Sequence, residues 1–273
     1  MDSVLELERR AAGHWRAAEE QWLGDWLLRA AGGFTGRANS ALALGAPGLP
    51  LDDALDALTR WYRVRGLPPM MAVPLPADLT PVPGTLEVQR ELEVQHELAV
   101  LRELDQRLEQ LRWRLRADPA YVMVTEIPAG TAGLPALPAG LRYRADPVPD
   151  QAWLTAYHYR GQDQQPPVMR TMLTSAADQV FLSVRTASGG VRAIARLSLA
   201  SGWAGITAVE VSPDCRRAGL GRALTAAAFA EAAQRGLTRV FLQVAVDNTG
   251  ARNLYERAGF RYSHRYHYRV SPE

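Results

Sequence analysis

The stretch Val209-Glu210-Val211-Ser212-Pro213-Asp214-Cys215-Arg216-Arg217-Ala218-Gly219-Leu220-Gly221-Arg222-Ala223-Leu224 reads as a strand that passes through an arginine- and glycine-rich loop straight into a helix. Gly219 and Gly221 let main chain come close to a ligand, and the helix start offers unpaired N–H groups with partial positive charge. The combination predicts a nest for a pyrophosphate, with Arg216, Arg217 and Arg222 adding mobile positive charge around it. The Gly-Lys-Ser/Thr ending of a P-loop is absent, as is the spaced dinucleotide-binding glycine fingerprint.

One strand further on stands Asn248-Thr249-Gly250-Ala251-Arg252-Asn253-Leu254-Tyr255-Glu256-Arg257-Ala258-Gly259-Phe260. Together the two segments resemble the signature of the GNAT superfamily of N-acetyltransferases. The first matches its Gln/Arg-x-x-Gly-x-Gly/Ala loop and the second its Asn-x-x-Ala-x-x-x-Tyr-x-x-x-Gly-Phe element. The match covers residues 180–270 closely and 141–179 loosely. Asp25-Trp26-Leu27-Leu28-Arg29, Thr35-Gly36-Arg37-Ala38-Asn39-Ser40, Leu242-Gln243-Val244 and His264-Arg265-Tyr266-His267-Tyr268-Arg269 are further similar to an actinobacterial-type group of these proteins with an extra N-terminal domain.

The resemblance implies acetyl-CoA as co-substrate, no metal, and direct attack by a primary amine of a small molecule or a protein N-terminus. Val209, Val211, Arg216, Arg217, Ala218, Gly219, Leu220, Gly221, Arg222, Asn248 and Tyr255 would hold acetyl-CoA, the Val211 N–H bonding the thioester carbonyl. Tyr255 would protonate the departing thiolate; the competing reading is a core tyrosine with a satisfied hydroxyl. Asn248 could hold pantetheine amides or simply cap the helix after it. For the base, Glu210 in an otherwise apolar strand is the first candidate, with Asp214 and Glu256 as rivals. Two other readings stay open: an acyl-CoA-binding sensor without turnover, and a transferase using a longer acyl donor.

Outward from this core, strands are expected at 141–144, 180–185, 191–199, 206–211, 240–246 and 262–270. Helices are expected at 150–159 with Asp150 as N-cap, from Pro166-Pro167 to Leu173, and at 220–235 and 250–258. In the last strand His264 and His267 alternate to opposite faces and cannot easily share an ion, whereas Tyr262, Tyr266 and Tyr268 share a face with His264, as packing or as a substrate wall. The N-terminal half reads as helix from Met1 to Gly24, a hairpin over 25–44, a helix 51–66, a strand 70–75 and a stiff connector at Pro74, Pro76, Pro81 and Pro83. A charged helix over 85–115 follows, with the seam Val94, Leu98, Leu101, Leu104, Leu108, Leu111 and Leu115, then a strand 121–127. The seam suits packing on its own domain better than a helical partner.

The fold class is mixed α/β: a GNAT acyltransferase fold at 140–273 after a linker at 129–139 rich in Pro, Gly and Ala, preceded by a smaller α/β domain at 1–128. Ala54–Val73 lines up without gaps on Leu224–Gln243, consistent with a diverged repeat or with chance recurrence of a common unit. Before the helix of that N-terminal copy stands Gly45-Ala46-Pro47-Gly48-Leu49-Pro50, whose prolines remove N–H donors a phosphate would use, so no acyl-CoA site is expected there and the 35–40 loop could instead complete an acceptor pocket. All 31 basic residues among the 273 are arginine, and the net charge of +2 gives no global field for nucleic acid or a bilayer. A lone cysteine, Cys215, excludes an internal disulfide, and neither a leader-like stretch nor a membrane-spanning run is seen. A cytoplasmic monomer or homodimer is the expectation.

Overall fold

The computed structural model describes residues 2–76, 88–131, 133–158 and 166–272, with the main chain alone at 76 and 88–94. Ser3 and Glu6 form a capping box that starts α1 (Val4–Ala12), and Gly13 ends it. The helix expected to reach Gly24 stops there. Gly24, in the left-handed region at φ +54°, turns the chain so that β1 (Glu19–Leu23) pairs antiparallel with β2 (Trp26–Ala30). A side chain at Gly24 would put its Cβ 2.2 Å from the Pro47 carbonyl carbon, so only glycine fits this approach.

From β3 (Ala41–Ala43) the chain enters α2 (Leu51–Arg63), which buries Ala54, Leu55, Leu58, Trp61 and Tyr62. It then returns as β4 (Met70–Pro76), parallel to β3. The expected connector at Pro81 and Pro83 lies outside the described residues. Next comes α3 (Val88–Gln110), whose Leu101, Leu104 and Leu108 are buried in the same core as Leu55, Leu58 and Met71. The leucine seam therefore packs on its own half of the molecule, although Leu115 at its far end is exposed. The helix ends before β5 (Arg114–Leu115), and β6 (Ala120–Glu126) follows.

Beyond the linker run β7 (Leu141–Asp146), α4 (Gln151–Thr155), α5 (Val168–Leu173), β8 (Asp178–Thr186), β9 (Val191–Ala200) and β10 (Trp203–Val211). Asp150 caps α4 by accepting from the Trp153 N–H at 2.8 Å. Then come α6 (Leu220–Gln234), β11 (Arg239–Ala245), α7 (Thr249–Arg257) and β12 (Arg261–Val270). Among the described residues, no helix is long and apolar enough to cross a membrane.

The strands form one sheet in the order β1-β2-β3-β4-β12-β6-β11-β10-β9-β8-β7, with β5 also on β12. Two neighbouring pairs are parallel, β3 with β4 and β10 with β11, and each is bridged by a helix, α2 or α6. The sequence echo thus coincides with a repeated topological unit. Its two copies meet by exchange: β12 lies against β4 on one edge and against β5 and β6 on the other, while β6 pairs with β11. The strand expected at 121–127 therefore sits in the sheet of the chain's second half.

Candidate active site

The site opens where two central strands separate. The strands β10 and β11 pair only from Ala204 with Val240 to Ile206 with Leu242. Past Ile206 the register of β10 on β9 shifts between Thr207 and Glu210, and Ala208 adopts φ +53°, a left-handed conformation costly for a residue with a Cβ. This bulge bends β10 away from β11. The gap becomes a cavity of about 410 Å³, walled by Thr207 to Glu210 on one side and Gln243 to Ala245 on the other.

Main-chain donors face this gap. The Ser212 N–H donates to the Arg192 carbonyl at 2.9 Å, so antiparallel alternation turns the Val211 N–H away from β9 and toward the side that β11 has left. Tyr255 reaches the cavity from α7, 6% exposed, its ring edge-on to Phe260. Its hydroxyl makes no hydrogen bond among the described residues, unlike an ordinary core tyrosine. Burial pushes its pKa up to about 12.

Glu210 lines the same cavity and a second one of about 990 Å³ between α4, the turn joining β8 to β9, and the end of β10. Its carboxylate accepts from the His158 N–H at 2.6 Å and lies 3.2 Å from His158 Nδ1. Burial raises its pKa above the usual carboxylate range despite these bonds. The rivals lie elsewhere. Asp214 is exposed, bonded to Ser212 at 2.5 Å and paired with Arg192 at 3.0 Å; the Ser212 bond, foremost, lowers its pKa. Glu256 accepts from the Tyr262 hydroxyl, and neither residue lines either cavity.

Of the expected co-substrate residues, Val209, Asn248 and Tyr255 line the smaller cavity, and Val211 and Arg216 the larger. Asn248 on that wall also caps α7, its side chain accepting from the Ala251 N–H at 3.1 Å. The loop from Arg217 to Arg222 lies outside both cavities, at the start of α6. Gly219 has φ +79° and nothing within 4 Å of an added Cβ, leaving an open cup over the first N–H groups of α6. Gly221 closes the other side, where a Cβ would approach Leu254 of α7 to 3.1 Å. Arg216, Arg217 and Arg222 are exposed around this cup. Ahead of α2 in the first half, the Asp25 N–H bonds to the Ala46 carbonyl at 2.8 Å and Gly24 abuts Pro47.

The opposite wall comes from residues that no motif marked: Trp15, Asp118 and Ala120 of the first half, together with Tyr157 and His158. Thr35 and Arg37 from the 35–40 loop and Tyr266 and Tyr268 from the aromatic face of β12 join them, as the sequence allowed. His264 does not. It is buried with its Nε2 2.7 Å from Glu8, and His267 sits 2.7 Å from Asp105. Among the described residues, no three His, Cys, Asp or Glu side chains converge as metal ligands would.

The family described as "Probable histone acetyltransferase Rv0428c C-terminal" matches residues 3–119 and 95–269. A Mycobacterium tuberculosis protein, "Probable histone acetyltransferase Rv0428c", is 29% identical over 273 residues, covering 97% of this chain and 73% of its own. A mycothiol acetyltransferase of Clavibacter michiganensis subsp. michiganensis is 34% identical over 134 residues, 46% of this chain and 44% of its own. Among solved structures, a GCN5-related N-acetyltransferase from Kribbella flavida superposes with a TM-score of 0.64 at 18% identity, covering 100% of this chain and 97% of that one.

Proposed function

The chain belongs to the GNAT superfamily of N-acetyltransferases, in the family of the Rv0428c C-terminal region, and from that premise we propose that it moves acetyl from acetyl-CoA to a primary amine by direct attack. The observation that carries this reading is the cavity at the parting of β10 and β11, with the Glu210 carboxylate and the unbonded Tyr255 hydroxyl on its wall. The open cup at Gly219, ringed by arginine, fits the diphosphate of acetyl-CoA. Val209, Val211, Arg216, Arg217, Ala218, Gly219, Leu220, Gly221, Arg222 and Asn248 would hold it. When bound, acetyl-CoA supplies an acetyl group activated as a thioester.

Glu210, directly or through one water, takes a proton from the attacking ammonium; its raised pKa brings it closer to the working pH than an ordinary carboxylate. The Val211 N–H donates to the carbonyl oxygen where negative charge develops as the C–N bond forms. Tyr255 gives its proton to sulfur as the C–S bond breaks, since burial that raises the tyrosine also raises the proton affinity of a thiolate beside it.

The proposed organisation is two GNAT-like halves, residues 1–128 and 140–273 joined by the 129–139 linker, of which the second binds acetyl-CoA. The relatives' names point to different acceptors, a histone and mycothiol. The test is calorimetry with acetyl-CoA followed by thiol release across an amine panel. Wild type binds one acetyl-CoA per chain and Gly219→Val loses the binding, because its side chain fills the cup and strains a positive φ. Equal affinity in the two proteins overturns the assignment.

A further inference from the structure

The wall contributed by the first half carries Arg37, and a second, buried arginine, Arg196, lies just behind it. Trp15 lines this wall, its indole N–H donating to Thr35 Oγ1 at 3.2 Å. One guanidinium lies 5.7 Å from its ring, that of Arg37 on the cavity wall; a second, that of Arg196, lies 5.4 Å away. Thr35 itself is held at φ +62°, an unusual backbone conformation of the sort that gathers at binding sites.

Arg196 is the decisive residue. It is fully buried on β9, and its bonds go only to neutral groups: the Leu173 carbonyl at 2.5 Å, the His14 carbonyl at 3.0 Å and Thr207 Oγ1 at 3.3 Å. Among the described residues its buried Nη2 has no hydrogen-bond partner. Burial, with Arg37 nearby, lowers its pKa to about 9, which still leaves it a cation at neutral pH. A buried charge of this kind is costly unless something compensates it. Arg116 lies 5.5 Å from the Tyr268 ring and ion-pairs with Asp118 at 2.9 Å. Deeper in, the Arg29 guanidinium bonds, among the described residues, to the Ser40 carbonyl and hydroxyl, and Glu8, the acid that couples to it, is held by His264. Arg37 is on the cavity wall with Asp118, which Arg116 engages from behind, while Arg196 lies beneath Trp15 and Thr207, and Glu210 stands elsewhere on the same wall.

We propose that the acceptor is a zwitterion, an amine that carries a carboxylate, with its ammonium toward Glu210 and its carboxylate against Arg37 in the field of Arg196. This rests on the transferase reading above and narrows its substrate. In the register of β9 on β10, Arg196 pairs with Thr207 and Ile194 with Glu210. The two ends are thus two residues apart along β9, about 7 Å at about 3.4 Å per residue, a span for a compact amino acid. A dianionic phosphate suits the site less well, because Asp118 and Glu210 share the wall with Arg37.

The experiment compares matched pairs on the full chain with acetyl-CoA: the α-amino acids, β-alanine and γ-aminobutyrate, each against its carboxamide, plus the aminophosphonate analogues. The expected result is thiol release with kcat/KM at least tenfold higher for one or more acids than for their amides and phosphonates. Arg37→Gln then raises KM for that acid about tenfold and erases the preference, Arg37→Lys recovers part of it, and the acetyl-CoA Kd and melting temperature of both variants stay near wild type. Amides or phosphonates used as well as the acids overturn the proposal while leaving the transferase reading intact. So does acetyl-CoA binding without acetylation of any acid in the set. Failure of acetyl-CoA to bind at all removes both.

Discussion

In the proposed mechanism Tyr255 and Glu210 make opposite demands on the same cavity, one needing its proton and the other needing to be without it. Burial raises both pKa values, which keeps the proton on Tyr255 and makes the ionised Glu210 a stronger base at the cost of narrowing the pH range in which it is ionised. Tyr255→Phe keeps the ring packed on Phe260 and removes only the proton. Turnover is therefore expected to fall by about 10²-fold or more, with the acetyl-CoA Kd unchanged by calorimetry; unaltered turnover would assign the proton to another group. As the proposed base Glu210 acts ionised, so kcat/KM should climb with pH through a pKa above the ordinary carboxylate value. Glu210→Gln should lose that limb along with about 10²–10⁴-fold in rate, and a pH–rate profile that keeps the same limb in the variant would place the base elsewhere. That both line one cavity was legible because each sits inside a contiguous motif. Trp15, Asp118 and His158 were not, since they come together only after folding, from three separate segments of the chain, and nothing in their local sequence signals a shared cavity.

At the level of elements, the regular units of the second half follow from strong local signals: Asp150 caps α4, Asn248 caps α7, and alternating apolar residues mark the strands. The failure came at the N-terminus, where aromatic spacing up to Trp22 suits a helix, yet Gly13 and the turn at Gly24 redirect the chain into β1. Between α1 and β1 lies His14, which joins the two halves. Its Nδ1 is 2.9 Å from Ser198 Oγ and its Nε2 3.1 Å from the Ala200 carbonyl, and the ring stands edge-on to Phe241. Gly205 of β10 makes room for it, since a Cβ there would be 2.9 Å from Nδ1. Burial lowers the His14 pKa from 6.5 to about 4, so the folded protein holds it neutral where the unfolded chain would protonate it. Its contribution is complete above pH 6.5 and is lost as pH falls toward 4, to a total of about 3 kcal/mol. Urea unfolding at pH 7.5 and pH 4.5 should reveal this slope in wild type and a shallower one in His14→Gln; parallel slopes would mean that His14 does not titrate differently on unfolding.

Across the whole molecule, the exchange of strands decides what can fold alone. Were the chain cut in the 129–139 linker, the piece 140–273 would keep α6, α7 and the acetyl-CoA motifs but lose β6, leaving β11 with a bare edge. It would also strip β12 of the partners β4, β5 and β6. Phe241, Trp203 and Tyr266 share a core with Leu27, Leu42 and Val122 of the first half, so the cut also exposes a continuous apolar surface. Such a loss of pairing and burial exceeds the small margin by which a domain of this size is stable. Each piece expressed alone is therefore expected to aggregate or to unfold without a cooperative transition, whereas the two co-expressed should reassemble and bind acetyl-CoA. The intact chain should melt in one transition, because its two halves complete one sheet and enclose one cavity. An isolated 140–273 piece that folds cooperatively and binds acetyl-CoA with wild-type affinity would show that the first half is an accessory to the site rather than one of its walls.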